Sequence, residues 1–260
     1  MITNAELERL YKRYNRRKYV HPDPLEFLYD YPDIRDREIV GLIASSLAYG
    51  RVAQILKSVE RVLSPMGKSP AGFLRDSSGR ELGRVFRGFK HRFTTDSELV
   101  SLLTGMKRVI ADCGSLNNCF VAGKKPADVT ILPALAHLAG ELRCCGKYLV
   151  PVPESGSACK RLNLFLRWMV RKDAVDPGGW KGIPRHLLIV PLDTHMAKIG
   201  QAMEFTRRRS ADMRMAQDIT DAFRRYAPED PVKYDFALTR FGIRSDLRME
   251  DLLKRRTEEH

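Results

Sequence analysis

Two side chains in this 260-residue sequence, Lys160 and Asp193, have neighbours that suit them for chemistry. Lys160 follows a turn-forming segment that contains Gly156, and it opens the clearest amphipathic helical pattern of the chain. The positive end of the helix dipole and the adjacent Arg161 both disfavour a second cation, so we expect a lowered pKa for Lys160. A neutral amine is what a Schiff-base nucleophile requires. An ordinary surface lysine and a simple phosphate contact are the alternatives for Lys160.

Asp193 lies at the point where a short apolar run, residues 187–190, leads into a predicted helix. The simplest interpretation is that Asp193 caps the N-terminus of that helix. A carboxylate held in this position can also stabilise a cationic sugar transition state or assist an attacking amine. Both interpretations stay open on the sequence alone.

The segment before Lys160, residues 153–160, is suited to hold a phosphate. Gly156, with Ser155 or Ser157, favours a tight turn that presents backbone N–H groups at the start of a helix. Such groups bind anions well. The sequence therefore predicts an anion-binding turn directly before the candidate nucleophile.

The sequence carries a strong excess of positive charge. Lys and Arg number 45, and Asp and Glu number 32, so the formal charge is +13. Residues 1–130 contribute +7 and residues 131–260 contribute +6, so the excess is not confined to a tail. A basic globular surface attracts polyanions, of which nucleic acid is the commonest. The alternative is a surface whose Lys and Arg side chains only confer solubility.

Composition excludes several classes of protein. With 43% hydrophobic residues the chain can bury a core and is not a disordered basic tail. Its apolar runs are far shorter than the roughly 20 residues of a membrane helix. Residues 1–10 do not resemble a signal peptide. We therefore expect a cytoplasmic protein without a membrane partner, built as one large domain or two lobes.

Cysteine usage favours reduced thiols. The chain has five cysteines, an odd number, and the adjacent Cys144 and Cys145 are poor partners for each other. A zinc site that combines them with His137 or His186 is conceivable, but no C-x-x-C pair is present and the spacing matches no common metal motif. We therefore expect no metal and no cofactor. The remaining thiols are also expected to be buried or idle: Cys113, Cys119 and Cys159.

Hydrophobic periodicity predicts an all-α fold. Apolar residues recur at helical spacing near residues 39–47, 55–63, 99–110, 131–142 and 162–170. Asp96 or Ser97 is expected to cap the third of these helices, and Gly114 to end it. Asp230, followed by proline, is expected to begin a further helix that Gly242 ends. Only the short apolar run before Asp193 looks like a strand, and four residues cannot build a sheet.

Three segments of the chain resemble the helix–hairpin–helix family of DNA glycosylases. Residues 192–196, Leu-Asp-Thr-His-Met, are similar to the family's Val-Asp-Thr-His-Val signature. Residues 156–160, Gly-Ser-Ala-Cys-Lys, resemble its glycine-bearing hairpin and the lysine that follows, with Ala158 in place of the second glycine. Residues 38–50 resemble an early helix of the same fold.

The interval between Lys160 and Asp193 is closer to the archaeal 8-oxoguanine glycosylase branch than to the endonuclease III branch. The four-cysteine cluster of the latter branch is absent, because no cysteine follows Asp193. Residues 228–237, with the other segments, also resemble a bacterial family of unassigned function related to the archaeal branch. This second resemblance covers most of the chain, whereas the glycosylase signature covers residues 38–50 and 153–200.

The resemblance implies a two-lobed, multi-helix fold with a cleft between the lobes. We place the lobe with the hairpin at residues 35–172 and the other at residues 1–34 plus 173–260, so that the N-terminal segment packs with the C-terminal helices. It also implies a bifunctional DNA N-glycosylase and AP lyase that removes an oxidised purine, such as 8-oxoguanine, from duplex DNA. Lys160 is then the nucleophile and Asp193 the catalytic carboxylate.

The resemblance also gives roles to further residues. The DNA-contacting candidates are Gly156, Ser157, Arg161, Tyr49 and Arg51. The base-pocket candidates are Trp180, Asp176 and His195. Structural alternatives stay open: helix-end packing for Tyr49, a pin between the lobes for Trp180, a turn for Asp176 and a structural position for His195.

Two other functions stay open. A non-catalytic DNA- or RNA-binding protein on the same helical scaffold would use Lys160 only for phosphate. A small helical enzyme that acts on acidic metabolites would have a closed pocket with converging arginines. Under the glycosylase interpretation, we expect a nucleoid-associated monomer whose excess positive charge lines one continuous face.

Overall fold

A computed structural model describes residues 2–143 and 149–254 of the protein. Within these ranges the chain forms thirteen α-helices: α1 (Asn4–Tyr14), α2 (Ile34–Ser46), α3 (Val52–Leu63), α4 (Pro70–Asp76), α5 (Gly79–Val85), α6 (Asp96–Cys113), α7 (Leu116–Ala122), α8 (Leu132–Leu142), α9 (Lys160–Val170), α10 (Thr194–Ala202), α11 (Met213–Arg224), α12 (Asp235–Ile243) and α13 (Met249–Lys254). Short 3-10 helices lie at Arg17–Tyr19, Pro24–Asp30, Ser64–Met66, Pro153–Ser155 and Arg185–Leu187. The only strands of the described ranges, β1 (Lys90–His91) and β2 (Thr94–Thr95), form an antiparallel hairpin. The prediction of an all-α fold is confirmed.

Helices α2 and α9 form an extensive central pair. Almost all of α2 beyond its first turn is buried, which explains why its sequence has no continuous polar face. Gly41 allows a close crossing, because a Cβ there would lie 3.2 Å from both Phe165 and Met169 of α9. The pairing brings the C-terminal end of α2 next to Lys160, the first residue of α9.

The two ends of α6 test the capping residues that the sequence predicted. Thr95 caps this helix, rather than the expected Asp96 or Ser97. Its hydroxyl accepts a hydrogen bond from the Glu98 N–H while the Glu98 carboxylate bonds back to the Thr95 backbone, and this reciprocal capping box favours Thr95. Gly114 ends the helix in the left-handed conformation, with φ +81, as predicted.

The helix that was expected to begin at Asp230 begins five residues later. Residues 231–234 form turns, so α12 starts at Asp235 and continues one residue past Gly242. Gly242 is a packing residue rather than a stop, because a Cβ there would overlap the imidazole of His195 on α10. The apolar run at 187–190 is not a strand, since it leaves a 3-10 helix and continues as irregular chain.

The β-hairpin is an element that the periodicity did not predict. Lys90 pairs with Thr95 and His91 with Thr94, and strands of two residues are too short to show an alternating pattern. The Nδ1 atom of His91 lies 2.9 Å from the hydroxyl of Ser58, which anchors the hairpin to α3.

The N-terminal helix packs against the C-terminal part of the chain. Glu8 of α1 accepts hydrogen bonds from Lys233 Nζ and the Tyr234 hydroxyl, each at 2.6 Å. The ring of Tyr11 meets that of Tyr234 edge-on. This contact between the two ends of the chain is the one that the resemblance implies, while the lobe boundary at 35–172 stays a prediction.

The described cysteines are free thiols: Cys119 and Cys159 are buried and Cys113 is partly buried. Burial raises the pKa of Cys119 to about 12 and that of Cys159 to about 11, so both are protonated at neutral pH. Cys144 and Cys145 lie outside the described residues. In the part of the chain that the structure describes, no three His, Cys, Asp or Glu side chains group closely enough to hold a metal ion. Over the same residues, no helix has the length and apolar character to cross a bilayer.

Candidate active site

A cavity of about 570 Å³ opens where α3, α9, α10 and α12 meet. Its wall comes mainly from residues 22–24, the loop after α2, the first turns of α9, residues 191–195 and α12. The structure brings four of the sequence-predicted residues to this wall: Lys160, Asp193, His195 and Tyr49. The candidate nucleophile and the candidate carboxylate therefore share one cavity, although they lie far apart in sequence.

The side chain of Lys160 is partly buried, and its Nζ donates a hydrogen bond to the Ala48 carbonyl at 3.0 Å. Burial lowers the pKa of Lys160, and the carboxylates of Asp193, Asp23 and Asp235 oppose that shift only in part. Burial is thus the main cause of the lowered pKa, with a smaller contribution from the neighbouring Arg161 that the sequence pointed to. The amine loses its proton more readily than that of a free lysine.

Asp193 caps α10, and its Oδ1 accepts the Met196 N–H at 2.7 Å. The capping interpretation is confirmed, and it leaves the second interpretation open because the same carboxylate lines the cavity and attracts Lys160. His195 lies on the same wall, and its ring packs closely against Gly242 of α12. The cap therefore fixes the Asp193 carboxylate on the side of the cavity that α10 supplies.

The inner wall carries charged side chains that the sequence analysis missed. Arg167 of α9 pairs with Asp235 of α12, and Arg240 of α12 pairs with Asp23 at 2.8 Å. All four line the cavity and are almost fully buried. Burial raises the pKa of Asp235 to about 6 in spite of the Arg167 charge. A signal was present in the sequence, because charged residues at core-facing helix positions require partners.

The ion pairs continue behind the cavity. Arg171 contacts Asp173 at 2.9 Å, Asp230 at 3.0 Å and also Asp176, which bonds Arg167 as well. Asp176 has no exposed surface and does not line the cavity. The structure therefore corrects the base-pocket position expected for Asp176, because its carboxylate joins Arg167 of α9 to Arg171, the residue that follows this helix.

Trp180 also lies away from the cavity. Its ring is 6% exposed and packs edge-on against Phe165, with centroids 4.9 Å apart, and beside Phe120. The indole Nε1 donates a hydrogen bond to Glu38 of α2 at 3.0 Å. Because the ring is packed against aromatic neighbours and its nitrogen is hydrogen-bonded, this indole is not available to stack on a base. The structure therefore corrects the base-pocket position of Trp180 and favours its packing alternative.

Residues 153–160 form a turn before α9, as expected. Gly156 has φ +76, which favours glycine, while nothing lies within 4 Å of the position of an added Cβ. Cys159 also has a left-handed backbone, with φ +46. The second left-handed residue of the turn is therefore Cys159 and not Ala158, which stands in place of the second hairpin glycine. No described side chain caps α9, which leaves the first N–H groups of that helix suited to an anion.

The same turn is joined to the segment before α11. Ser157 is exposed and forms an isolated β-bridge with Asp212, and the Gly156 carbonyl accepts the Met213 N–H at 3.3 Å. The basic residues at 207–209 lie only a few positions before this bridge. The candidate anion-binding turn is therefore held against the segment that follows this basic run.

The other predicted DNA-contacting residues have different surroundings. Arg161 is partly buried, donates to the Ser46 carbonyl at 3.0 Å and lies over the ring of Tyr49. The Tyr49 hydroxyl donates to the His91 carbonyl at 2.8 Å, so this side chain is held against the β-hairpin. Arg51 is exposed at the N-terminus of α3. Arg161 and Tyr49 therefore brace the cavity mouth, and Arg51 points to solvent.

The β-hairpin carries an exposed aromatic side chain next to a residue that touches the cavity rim. Phe93, at the hairpin turn, is 68% exposed, and the Arg92 guanidinium lies 5.4 Å from its ring centroid. A Cβ at the cavity residue Gly50 would lie 2.8 Å from Arg92 Cδ, so the turn touches the rim. Sequence analysis missed Phe93 because the two short strands give no periodic signal.

Most of the chain matches one sequence family. The model of the family described as "Protein of unknown function (DUF2400)" matches residues 23–244. The chain belongs to this family. All residues that line the cavity, apart from Pro22, fall within the DUF2400 range. No curated protein and no solved structure matched the chain.

Proposed function

We propose that this DUF2400 protein is a DNA glycosylase with lyase activity, in which Lys160 attacks the sugar of a damaged nucleotide. The observation that carries the proposal is a partly buried lysine with a lowered pKa, placed with Asp193 in one cavity of about 570 Å³. A cavity of this size suits a nucleoside-sized ligand. The proposal includes the two-lobed helix–hairpin–helix arrangement, with the cavity between the lobes.

The proposed reaction begins when the neutral amine of Lys160 attacks C1′ of a nucleotide flipped out of the duplex. The bond from nitrogen to C1′ forms as the bond from C1′ to the base breaks, and the base leaves with that electron pair and takes up a proton. The sugar ring opens when the bond from C1′ to O4′ breaks: the nitrogen lone pair forms the C=N bond of a protonated imine, the Schiff base, and O4′ takes up a proton. Water then accepts a proton from C2′, a double bond forms between C2′ and C3′, and the 3′ phosphate leaves with the electron pair of its bond to C3′, which cuts the strand.

Asp193 has two roles in this scheme. Its carboxylate stabilises the positive charge that develops on the sugar as the base leaves. It also accepts the proton that the Lys160 nitrogen loses when the bond to C1′ forms. The hydrogen bond from Met196 N–H uses Oδ1 and fixes the orientation of the carboxylate before the substrate arrives.

The charges of the cavity favour an uncharged base over an acidic metabolite. The two arginines of the wall are already paired with carboxylates, so neither offers a full charge to an anion. With Lys160 neutral, the remaining charges of the lining sum to a net negative value. They belong to Arg167, Arg240, Asp23, Asp193 and Asp235. An oxidised purine such as 8-oxoguanine is the substrate that we propose.

The surroundings of the cavity support contact with a duplex. The turn at Gly156 and the uncapped start of α9 are suited to one phosphate, and the exposed Arg51 to another. In this proposal Phe93, which is exposed and follows Arg92 at the rim, stacks on a base beside the flipped nucleotide. We assign this contact to Phe93 rather than to the DNA-contacting candidate Tyr49, because the Tyr49 hydroxyl is bonded to the hairpin.

Borohydride trapping tests the proposal, because hydride reduces the imine to a stable secondary amine. The protein is incubated with duplexes that carry an abasic site, 8-oxoguanine or only normal bases. We expect a covalent adduct with the first two duplexes and none with the third. Lys160→Gln should abolish the adduct, whereas Lys198→Gln, which alters an exposed lysine of α10 outside the cavity, should keep it.

Two outcomes decide against the proposal. If the wild-type protein binds DNA but forms no adduct with any duplex, the non-catalytic DNA- or RNA-binding function is the correct one. If the adduct persists in Lys160→Gln, another amine is the nucleophile and the role of Lys160 is wrong.

A further inference from the structure

A second concave surface lies on the N-terminal helix. This groove, of about 660 Å³, lies between α1 and the 3-10 helix Arg17–Tyr19. It is lined by five exposed basic side chains and one acidic side chain: Arg9, Lys12, Arg13, Arg16, Lys18 and Glu8. We refer to it as the α1 groove.

The positive charge of the α1 groove is not neutralised by its surroundings. Its one carboxylate, Glu8, is bonded to Lys233 and Tyr234 on the other flank of α1. Across residues 2–143 and 149–254, no carboxylate forms an ion pair with any of the five basic side chains. Arg16 Nε donates to the Lys12 carbonyl at 3.1 Å, which holds the two sides of the groove together. Such a surface attracts an extended anion.

The structure favours an anion in solution over a lipid surface. A helix that lies on a membrane must bury its apolar face among lipids. The apolar face of α1, with Leu7, Leu10 and Tyr14, is already buried in the protein core. Only the charged face of α1 is therefore available, and it suits a chain of phosphates.

The α1 groove and the cavity that holds Lys160 are lined by neighbouring segments of the chain. Tyr19 lines the groove, and Pro22, three positions later, lines the cavity. Arg244 connects them: its guanidinium lies 5.5 Å from the Tyr19 ring centroid and donates to the His21 carbonyl at 2.6 Å. Ile243, the preceding residue, belongs to the cavity wall. Arg244 and residues 19–22 therefore link the segment that lines the groove to the segment that lines the cavity.

We propose that the α1 groove binds the phosphate backbone of the nucleic acid whose flipped nucleotide occupies the cavity. The position of that nucleic acid rests on the proposed function, whereas binding of phosphates in the groove does not. Each phosphate that the groove neutralises releases counterions, so its contribution to affinity falls as salt rises. Contacts to phosphates fix the position of the protein and carry no sequence preference.

The salt dependence of duplex binding tests this proposal. Dissociation constants are measured by fluorescence anisotropy, with undamaged DNA and RNA duplexes, over a range of salt concentrations. The combined variant Arg9→Ala, Lys12→Ala and Arg16→Ala removes three exposed charges from the groove. Each lost contact to B-DNA lowers the slope of log affinity against log salt by about 0.9, so we expect a decrease of about 2–3.

A matched variant controls for net charge. Lys124→Ala, Lys125→Ala and Lys181→Ala together remove three charges from a surface that lines neither the groove nor the cavity. We expect this variant to change the slope by less than half as much as the groove variant. Equal changes in the two variants would overturn the proposal, because net charge alone would then explain binding.

Two further readouts separate the possible failures. At saturating abasic DNA, the groove variant should give the wild-type yield of trapped adduct, since its cavity is intact. If the wild type gives no adduct but the groove variant shows the expected decrease in the slope of log affinity against log salt, the proposed function is wrong. Phosphate binding by the α1 groove is then still supported. Vesicles of anionic lipid test the membrane alternative. If the wild type binds these vesicles and the groove variant does not, the groove binds a membrane and the inference is wrong.

Discussion

The two ends of α9 hold buried cations in different ways. At its first residue, the amine of Lys160 is bonded to the carbonyl of Ala48, and burial lowers its pKa. Two and three turns later, Arg167 and Arg171 are also buried, but their carboxylate partners outweigh burial and raise their pKa values. Residues 160–171, α9 and its C-terminal cap, therefore carry one cation that loses its proton more readily than a free lysine and two that keep theirs.

The difference lies in the partners rather than in the burial. A carboxylate in direct contact stabilises the charged form of a cation, whereas a single carbonyl compensates less for lost water. The arginine end of α9 thus joins it to α12 through Asp235 and to the turn that holds Asp176. The lysine end is left with an amine that loses its proton more readily than that of a free lysine. Four predictions test this contrast, from the largest expected effect to the smallest.

The first prediction concerns stability. Arg171→Met leaves the buried Asp176 with one fewer partner and should lower the free energy of unfolding by about 3–5 kcal/mol. Lys160→Met removes no ion pair and should change it by about 1 kcal/mol or less. Urea denaturation followed by circular dichroism measures both values. Equal losses in the two variants would show that the two ends of α9 are structurally alike.

The second prediction concerns Asp193. Asparagine caps helices as well as aspartate does, so Asp193→Asn should keep α10 and the affinity for DNA while lowering the single-turnover rate about 100-fold. Asp212→Asn is the matched control, because Asp212 caps α11 in the same way, through Met215 N–H at 2.8 Å, outside the cavity. An intact rate in Asp193→Asn would reduce Asp193 to a helix cap.

The third prediction concerns Phe93. Loss of one base–aromatic stack costs about 1–3 kcal/mol, so Phe93→Ala should weaken binding to a damaged duplex by a corresponding amount. Val129→Ala, which shortens another exposed apolar side chain, should leave that affinity unchanged. Titrations of labelled duplex compare the two variants. Equal affinities would remove Phe93 from the DNA-contacting surface.

The fourth prediction concerns pH. Because only the neutral amine attacks, the trapping rate should rise with pH and level off above the pKa of Lys160, which burial places below that of a free lysine. The Asp193 carboxylate raises this pKa, so Asp193→Asn should move the midpoint to lower pH while it lowers the plateau. A rate that still rises at the pH where free lysine titrates, or a midpoint that moves upward in the variant, contradicts this account.

Local signals in the sequence were sufficient for much of the fold. Apolar spacing predicted α2, α3, α8 and α9, and Asp193 acts as the cap that its position indicated. Each of these features depends on residues within one or two turns of each other. The start of α12 was placed too early because the Asp-Pro pair at 230 forms turns before the helix begins.

Long-range pairing explains what the sequence did not predict. Arg167 and Asp235 lie 68 residues apart, so neither indicates its partner. Trp180, between glycines, has the local sequence of an exposed loop, yet Phe165 and Glu38 from other helices bury it. The lowered pKa of Lys160 was expected from local charges, but its main cause is burial, which only the packing of α2 against α9 creates.

The central claim is that the Lys160 amine forms the covalent bond to the sugar. Peptide mapping by mass spectrometry of the wild-type protein, trapped on an abasic duplex with borohydride, identifies the modified residue directly. We predict that the sugar fragment is attached to Lys160 and that Lys198 stays unmodified in the same sample. A fragment on any other amine, or no covalent adduct at all, would contradict the claim.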